Sequence, residues 1–484
     1  MNWLLLAEIT YIILLVLVCI WVIYETRSTT KAICYLLLVI FLPIIGIFIY
    51  FSFGTNYRKR KIYNKKLLKD EVLISKVREK LSDYSKDQFL EGGEVVARFK
   101  ELAYMLARDS SSILTSGNRV SLLLNGEQKF DEVIRCISEA KRHIHIEYYI
   151  YEDDEIGGTI ERLLIKKAAE GVAVRFIYDD FGSRPIRGKL VKRLRNGGVP
   201  AFPFHRVLLW AFANRLNYRN HRKIIVIDGT VGFVGGVNVS DKYINNPGTK
   251  NMYWRDTHLK IEGAGVLELQ HIFLSDWNFC AKDSIVPDTD YFPNPITSVI
   301  PGSQLVQIAS SGPDSDRPTV LYAILQAINL ATTEILITTP YFIPGESITD
   351  ALIVAALGGV KVQLLVPGIS DSRIVNAAAH SYYDDLLAAG VEIFLYQKGF
   401  VHAKTIVADR MMSMVGTANM DYRSFELNFE VNAIVYDRQL AEELALAFQD
   451  DLASSIKINP VEWQNRPVAT FLLEKTARLM SPIL

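Results

Sequence analysis

Asn220-His221-Arg222-Lys223-Ile224-Ile225-Val226-Ile227-Asp228-Gly229 returns 181 residues later as Val401-His402-Ala403-Lys404-Thr405-Ile406-Val407-Ala408-Asp409-Arg410. The shared pattern is His-x-Lys followed, after four residues, by Asp. In each copy a short apolar run (224–227 and 405–408) ends in a turn, Asp228-Gly229 or Asp409-Arg410, and a second apolar run follows at 231–234 or 411–415. Asp-Gly between two apolar runs is a strong hairpin signal. Both copies then reach a glycine and an asparagine at matching offsets, Gly235 with Asn238 and Gly416 with Asn419.

The repetition extends outward from the motif. The first half has a helical run at 130–142, a strand at 143–151, a helix at 157–169, Gly171 and a strand at 172–178. The second has a helical run at 319–332, a strand at 335–339, a helix at 348–357, Gly359 and a strand at 360–366. A further helix, glycine and strand follow in each, at Gly198-Val199 and Gly390-Val391. Strands alternating with helices predict an α/β fold with two tandem sandwich halves, 111–284 and 304–484, related by a pseudo-twofold axis. The Pro- and Ser-rich stretch 285–303 divides them, and the charged residues 58–110 read as a helical connector.

Composition narrows the function. The chain has 484 residues, and its 53 basic side chains balance 53 acidic ones, so the global positive field of a nucleic-acid binder is missing. Four scattered cysteines without a CxxC argue against a disulfide framework or thiolate metal site. Half the residues are hydrophobic and the mean hydropathy is positive, which the apolar N-terminus explains. Residues 3–23 carry only Glu8 as a charge and residues 32–53 carry none. Each stretch matches the ~20 residues of a membrane-spanning helix. Residues 1–57 therefore read as a transmembrane hairpin in a multi-pass membrane protein; a cleaved signal peptide would need a basic start and a small-residue cleavage site, and neither is present. Arg58, Lys59, Arg60, Lys61, Lys65, Lys66 and Lys69 crowd just past the second stretch, against only Arg27 and Lys31 between the two. That bias places the remainder in the cytoplasm, with the cluster against anionic lipid headgroups.

His and Lys two apart on a strand project from one face. A neutral imidazole attacks phosphorus, and an ammonium or an asparagine amide holds the developing anionic oxygen. Two halves facing one phosphate supply His221, Lys223 and Asn238 together with His402, Lys404 and Asn419. One histidine then forms a covalent phosphohistidine while the other protonates the leaving alkoxide and deprotonates the incoming alcohol. Nothing in this set calls for a cofactor or metal. Asp228 and Asp409 complete the motif, but they fall in the turns and read as structural. Glu430 and Asp256, downstream on strands, are better placed to orient the imidazoles. His143 and His145 share a strand face without a visible third metal ligand. The apolar segment 207–213, Val-Leu-Leu-Trp-Ala-Phe-Ala, reads either as a membrane-dipping element or as a buried helix.

Arg215-Leu216-Asn217-Tyr218-Arg219-Asn220-His221, Trp254-Arg255-Asp256-Thr257-His258, Thr339-Pro340-Tyr341-Phe342-Ile343-Pro344 and Asn419-Met420-Asp421-Tyr422-Arg423-Ser424-Phe425 resemble the bacterial cardiolipin synthases of the phospholipase D superfamily, and the resemblance covers essentially the whole chain. It implies reversible transfer between two phosphatidylglycerols, giving cardiolipin and glycerol without nucleotide or metal. It implies His221 as nucleophile, His402 as acid and base, and Lys223, Lys404, Asn238 and Asn419 as phosphate ligands. It pairs Glu430 with His402 and, more weakly, Asp256 with His221. A hydrolytic phospholipase D or a phosphatidylserine synthase would use the same site. Oligomeric state is left open.

Overall fold

The computed structural model describes residues 3–26, 29–51, 93–109, 112–205, 218–246, 252–281, 283–285, 291–293 and 302–481. The basic cluster at 58–69, most of the expected connector and the segment 207–213 lie outside them.

Nineteen strands are described in chain order. Those of the first half are β1 (Thr115–Leu124), β2 (His143–Tyr148), β3 (Ala173–Tyr178), β4 (Ala201–Pro203), β5 (Lys223–Ile227), β6 (Val231–Gly235), β7 (Tyr253–Arg255) and β8 (Thr257–Glu262). Those of the second are β9 (Gln304–Ser311), β10 (Glu334–Thr338), β11 (Phe342–Ile343), β12 (Lys361–Pro367), β13 (Glu392–Tyr396), β14 (Gly399–Val401), β15 (Thr405–Ala408), β16 (Met412–Gly416), β17 (Met420–Asp421), β18 (Glu430–Tyr436) and β19 (Ser455–Lys457). Among the described residues, fifteen of them form one continuous sheet. Outward from its centre the first half runs β1-β8-β6-β5-β2-β3-β4 and the second β9-β18-β16-β15-β10-β12-β13-β19. Apart from the extra edge strand β19 the order is the same in both, and β1 meets β9 antiparallel at the seam, which is the arrangement a twofold axis through the sheet produces. The strands around each motif, β2, β5, β15 and β18, are buried at every position because both faces of the sheet are covered. One apolar cluster crosses the seam, joining Val120, Ile224 and Leu259 to Val306, Val431 and Phe448, so the halves share a core.

Trp3–Glu25 is a helix long and apolar enough to cross a membrane. The second apolar stretch departs from the expected straight span. It breaks into Thr29–Phe41 and Pro43–Ile49, because Pro43 lacks an N–H and its ring displaces the preceding turn. The second piece folds back so closely that a Cβ on Gly46 would lie 2.3 Å from the Leu38 carbonyl oxygen. Thirteen helical residues reach only about 20 Å, short of the ~30 Å hydrocarbon core. Val18 and Val22 of the first helix pack against Val39 and Tyr50.

The motif aspartates, members of the candidate catalytic motif, sit in the two hairpin turns. Both adopt positive φ, 54° at Asp228 and 52° at Asp409. Asp228 accepts from the backbone N–H groups of Lys141, Arg142 and His143 at 2.7–2.9 Å, pinning the β5–β6 turn to the start of β2. Asp409 accepts from Thr332, Thr333 and Glu334 N–H at 2.8–3.1 Å and from both threonine hydroxyls, pinning the β15–β16 turn to β10. Burial pushes the Asp409 carboxyl up, but these donors outweigh it and hold it below the usual range. The cap is therefore complete at neutral pH and is lost only as pH falls through that lowered value. Asp409→Ala removes it at all pH values and should cost about 2–4 kcal/mol, read as a lowered melting temperature in detergent.

Candidate active site

Two short contacts between the halves, a three-residue ladder and a single bridge, build the site. β7 pairs in parallel with β14, and the His402 N–H donates to the Arg255 carbonyl at 2.7 Å. On the other side Asn220 bridges Phe429, with His221 N–H donating to the Phe429 carbonyl at 3.0 Å and Phe429 N–H to that of Arg219 at 2.8 Å. The chain entering each histidine thus runs beside the chain entering the other half's carboxylate strand.

The carboxylates consequently cross over. His221 Nδ1 lies 2.9 Å from Glu430 Oε1, and His402 Nδ1 lies 2.7 Å from Asp256 Oδ2. This corrects the expected pairing of Glu430 with His402 and Asp256 with His221. Counting along one chain assigned each carboxylate to its own half, whereas the inter-half strand contacts deliver it to the other. Glu430 and Asp256 hold equivalent places, each two residues before the partner of a motif glycine, Gly416↔Asn432 and Gly235↔His258.

Both histidines open onto one cavity of about 400 Å³, lined also by Asn238, Asn419, Tyr149 and Trp254. Asn238 donates to Tyr243 Oη at 2.7 Å and Asn419 to Asp421 Oδ2 at 3.1 Å; the Asn419 amide oxygen has no partner among the described residues. The lysines stand differently from expectation. Neither is among the residues that line the cavity; Lys223 and Lys404 are buried, each donating its ammonium to the carbonyl of its own histidine. The cations that do line the wall are Arg219, Lys242 and Arg423. Arg219 lies two residues before His221, its guanidinium 3.9 Å from the Phe181 ring centroid, and Arg423 four after Asn419. Both sit inside the motif stretches, and a cation so near a motif histidine or asparagine was the signal for them. Asp228 and Asp409 lie at the far ends of β5 and β15, outside the cavity lining.

Burial governs the titration. It is the main reason the imidazoles fall from their ordinary value, His221 to about 4 and His402 to about 3. At His221 Glu430 resists the shift and Lys223 adds to it; at His402 Lys404 adds to it and Asp256 resists. Both rings are therefore neutral at pH 7. A neutral ring whose Nδ1–H donates to a carboxylate presents a lone pair on Nε2. Burial also lowers Lys223 to about 7 and Lys404 to about 8, while the nearby carboxylates hold them up. His143 and His145 both contact Gln270 and show no metal-ligand grouping among the described residues.

Two consequences are measurable. A lysine charged only below its lowered pKa attracts anions only there, so inhibition by tungstate should weaken as pH rises through 7–8, by about tenfold per unit above that range; replacing both Lys223 and Lys404 by Met should flatten the profile. Gly236 makes room for the crossed pair, since a Cβ there would lie 2.1 Å from Asp256 Oδ1. Gly236→Ala should displace that carboxylate and lower kcat by about 100-fold, with the circular dichroism spectrum unchanged.

The family model described as "Cardiolipin synthase, PLD-like domain" matches residues 133–277 and 324–452, and one described as "Phospholipase_D-nuclease N-terminal" matches 13–54. The major cardiolipin synthase of Bacillus subtilis is 40% identical over 98% of each chain, and cardiolipin synthase 2 of Staphylococcus epidermidis 41% over 96% of this chain and 94% of its own. The crystal structure of phosphatidylserine synthase from Haemophilus influenzae superposes with a TM-score of 0.57 at 15% identity, covering 80% of this chain and 100% of that one, a likeness of fold. The chain belongs to the cardiolipin synthase family of phospholipase D-like phosphatidyltransferases.

Proposed function

We propose that this enzyme moves a phosphatidyl group from one phosphatidylglycerol to another, through His221 as nucleophile and His402 as acid and base. The observation that carries the reading is the pair of crossed histidine–carboxylate contacts opening onto one cavity. His221 Nε2 attacks the donor phosphorus, and the bond to the headgroup glycerol breaks. His402 gives that glycerol its proton, then takes one from a hydroxyl of the second phosphatidylglycerol. The resulting alkoxide displaces His221 and leaves cardiolipin. One phosphodiester is broken and one made, so the exchange is reversible and needs no nucleotide. Asn238 and Asn419, with Arg219 and Arg423, receive the anionic oxygens. Lys223 and Lys404 act through their field.

The two carboxylates differ in a way that supports this division. Glu430 is shared: besides His221 it accepts from the Thr417 hydroxyl and from Asn428 Nδ2 at 3.1 Å. Asp256 gives Oδ2 to His402, with Oδ1 taking the Thr257 N–H at 2.7 Å. The less divided carboxylate better supports an imidazolium. Burial, with Lys404 adding to it, makes His402 the less basic ring. Proton uptake there therefore depends on the substrate's negative phosphate offsetting that lysine.

The helix Trp3–Glu25 anchors the enzyme at its substrates. A cytoplasmic site belongs to the same proposal, supported by the basic run at 58–69.

Purified enzyme given phosphatidylglycerol alone should yield cardiolipin and glycerol in equal amounts. Phosphatidic acid as sole product would assign a hydrolase instead. A donor with a p-nitrophenyl headgroup separates the two histidines, because its leaving group needs no acid. Asp256→Asn should still release a burst of p-nitrophenol and trap the phosphatidyl-histidine; Glu430→Gln should show no burst. The reverse pattern would exchange the roles.

A further inference from the structure

The helix Val468–Arg478 is packed inside out. Its charged side chains turn inward or to the flank. Glu474 is buried, bonded to Arg466 at 2.8 Å and 3.4 Å from His380; Lys475 donates to the Ser381 carbonyl at 3.1 Å; and Arg478 stacks on Tyr382. The opposite arc carries Val468 (73% exposed), Leu472 (59%) and Leu473 (64%), continued past the helix by Leu479 (81%) and Met480. Their spacing puts them on one side of a 3.6-residue helix, where Ala469 and Thr476 are the other members. An amphipathic surface helix of a soluble protein places its residues the other way round.

What this face meets is indicated by its neighbour. The helix packs on Arg373–His380, whose Val375, together with Ser372 just before it, lines the reaction cavity. Ile374 on that neighbouring helix and Ile369 just before it are also exposed. The apolar patch is therefore one packed helix away from the cavity wall. The chain is held at a bilayer by its N-terminal helix, and on the reading proposed above its substrates have acyl chains that must remain in apolar surroundings while the headgroup phosphate reaches the histidines.

We infer that the outward face of 468–480 docks into the bilayer surface and seats the cavity mouth on the lipid. The reading of the site as a phosphatidyltransferase underlies the choice of occupant, but the contact itself is separately measurable. In full-length enzyme with Cys19, Cys34, Cys136 and Cys280 replaced by alanine, Leu472→Cys would carry an NBD fluorophore in phosphatidylglycerol-containing liposomes. The expected result is a blue-shifted emission quenched by doxyl-labelled lipid. A blue shift that resists lipid quenching and disappears on dilution of protein into excess lipid would show a second copy of the chain on this face and overturn the inference, as would a water-like emission. A second measurement uses turnover. Leu472→Glu with Leu473→Glu should lower cardiolipin formation from bilayer substrate at least tenfold while leaving that from short-chain phosphatidylglycerol in detergent unchanged. Equal loss on both substrates would overturn the docking role, while absence of cardiolipin from the unaltered enzyme would instead overturn the transferase reading.

Discussion

The site depends on one constraint: each half supplies the strand beside which the other half's histidine must lie. Asn220 against Phe429, and β14 against β7, are short contacts with few hydrogen bonds. They nevertheless fix the register at which Glu430 meets His221 and Asp256 meets His402. A slip of one residue in either would turn the carboxylate to the opposite face. The seam β1–β9 and the shared core set the halves at the separation where both contacts close together.

That register is reinforced by charges buried deeper. Arg222 follows His221 and pairs with Asp276, on the helix Val266–Cys280. Arg255 precedes Asp256, pairs with Asp451 near the end of the helix Arg438–Leu452 at 2.9 Å, and offers its carbonyl to His402. Buried ion pairs contribute little net stability, because desolvation offsets their attraction. Their value here is directional. Each half's helix holds an arginine whose backbone positions that half's own histidine, so the two rings are aimed by rigid elements and not by loops.

Much of this was legible in the sequence, and the lost part has a physical reason. The motif strands, their hairpins and the helix–glycine–strand repeats emerge within a few residues of their expected bounds, because local periodicity and turn chemistry act over short distances. The structural role of Asp228 and Asp409 was readable for the same reason. β7 and β14 were missed: three residues cannot display a period, and their pairing is set by the other half. The crossed carboxylates followed from that omission. The bonding of Lys223 and Lys404 to the carbonyls of their own histidines was equally hidden, since a strand pattern gives the face of a side chain but not what it reaches.

The spacing inside the motif can now be given a cause. His and Asp are separated by the length of one strand, so fixing the aspartate to the turn at one end sets where the histidine emerges at the other. The aspartate acts on the chemistry through the position of β5 or β15, and its partners are backbone amides of the neighbouring strand's entry. The histidine, by contrast, finds its carboxylate only across the interface. Either half taken alone would present an imidazole in the correct fold without the group that fixes its tautomer. Catalytic competence is thus a property of the pair of halves, which is why two intact copies of the motif are needed to make one site.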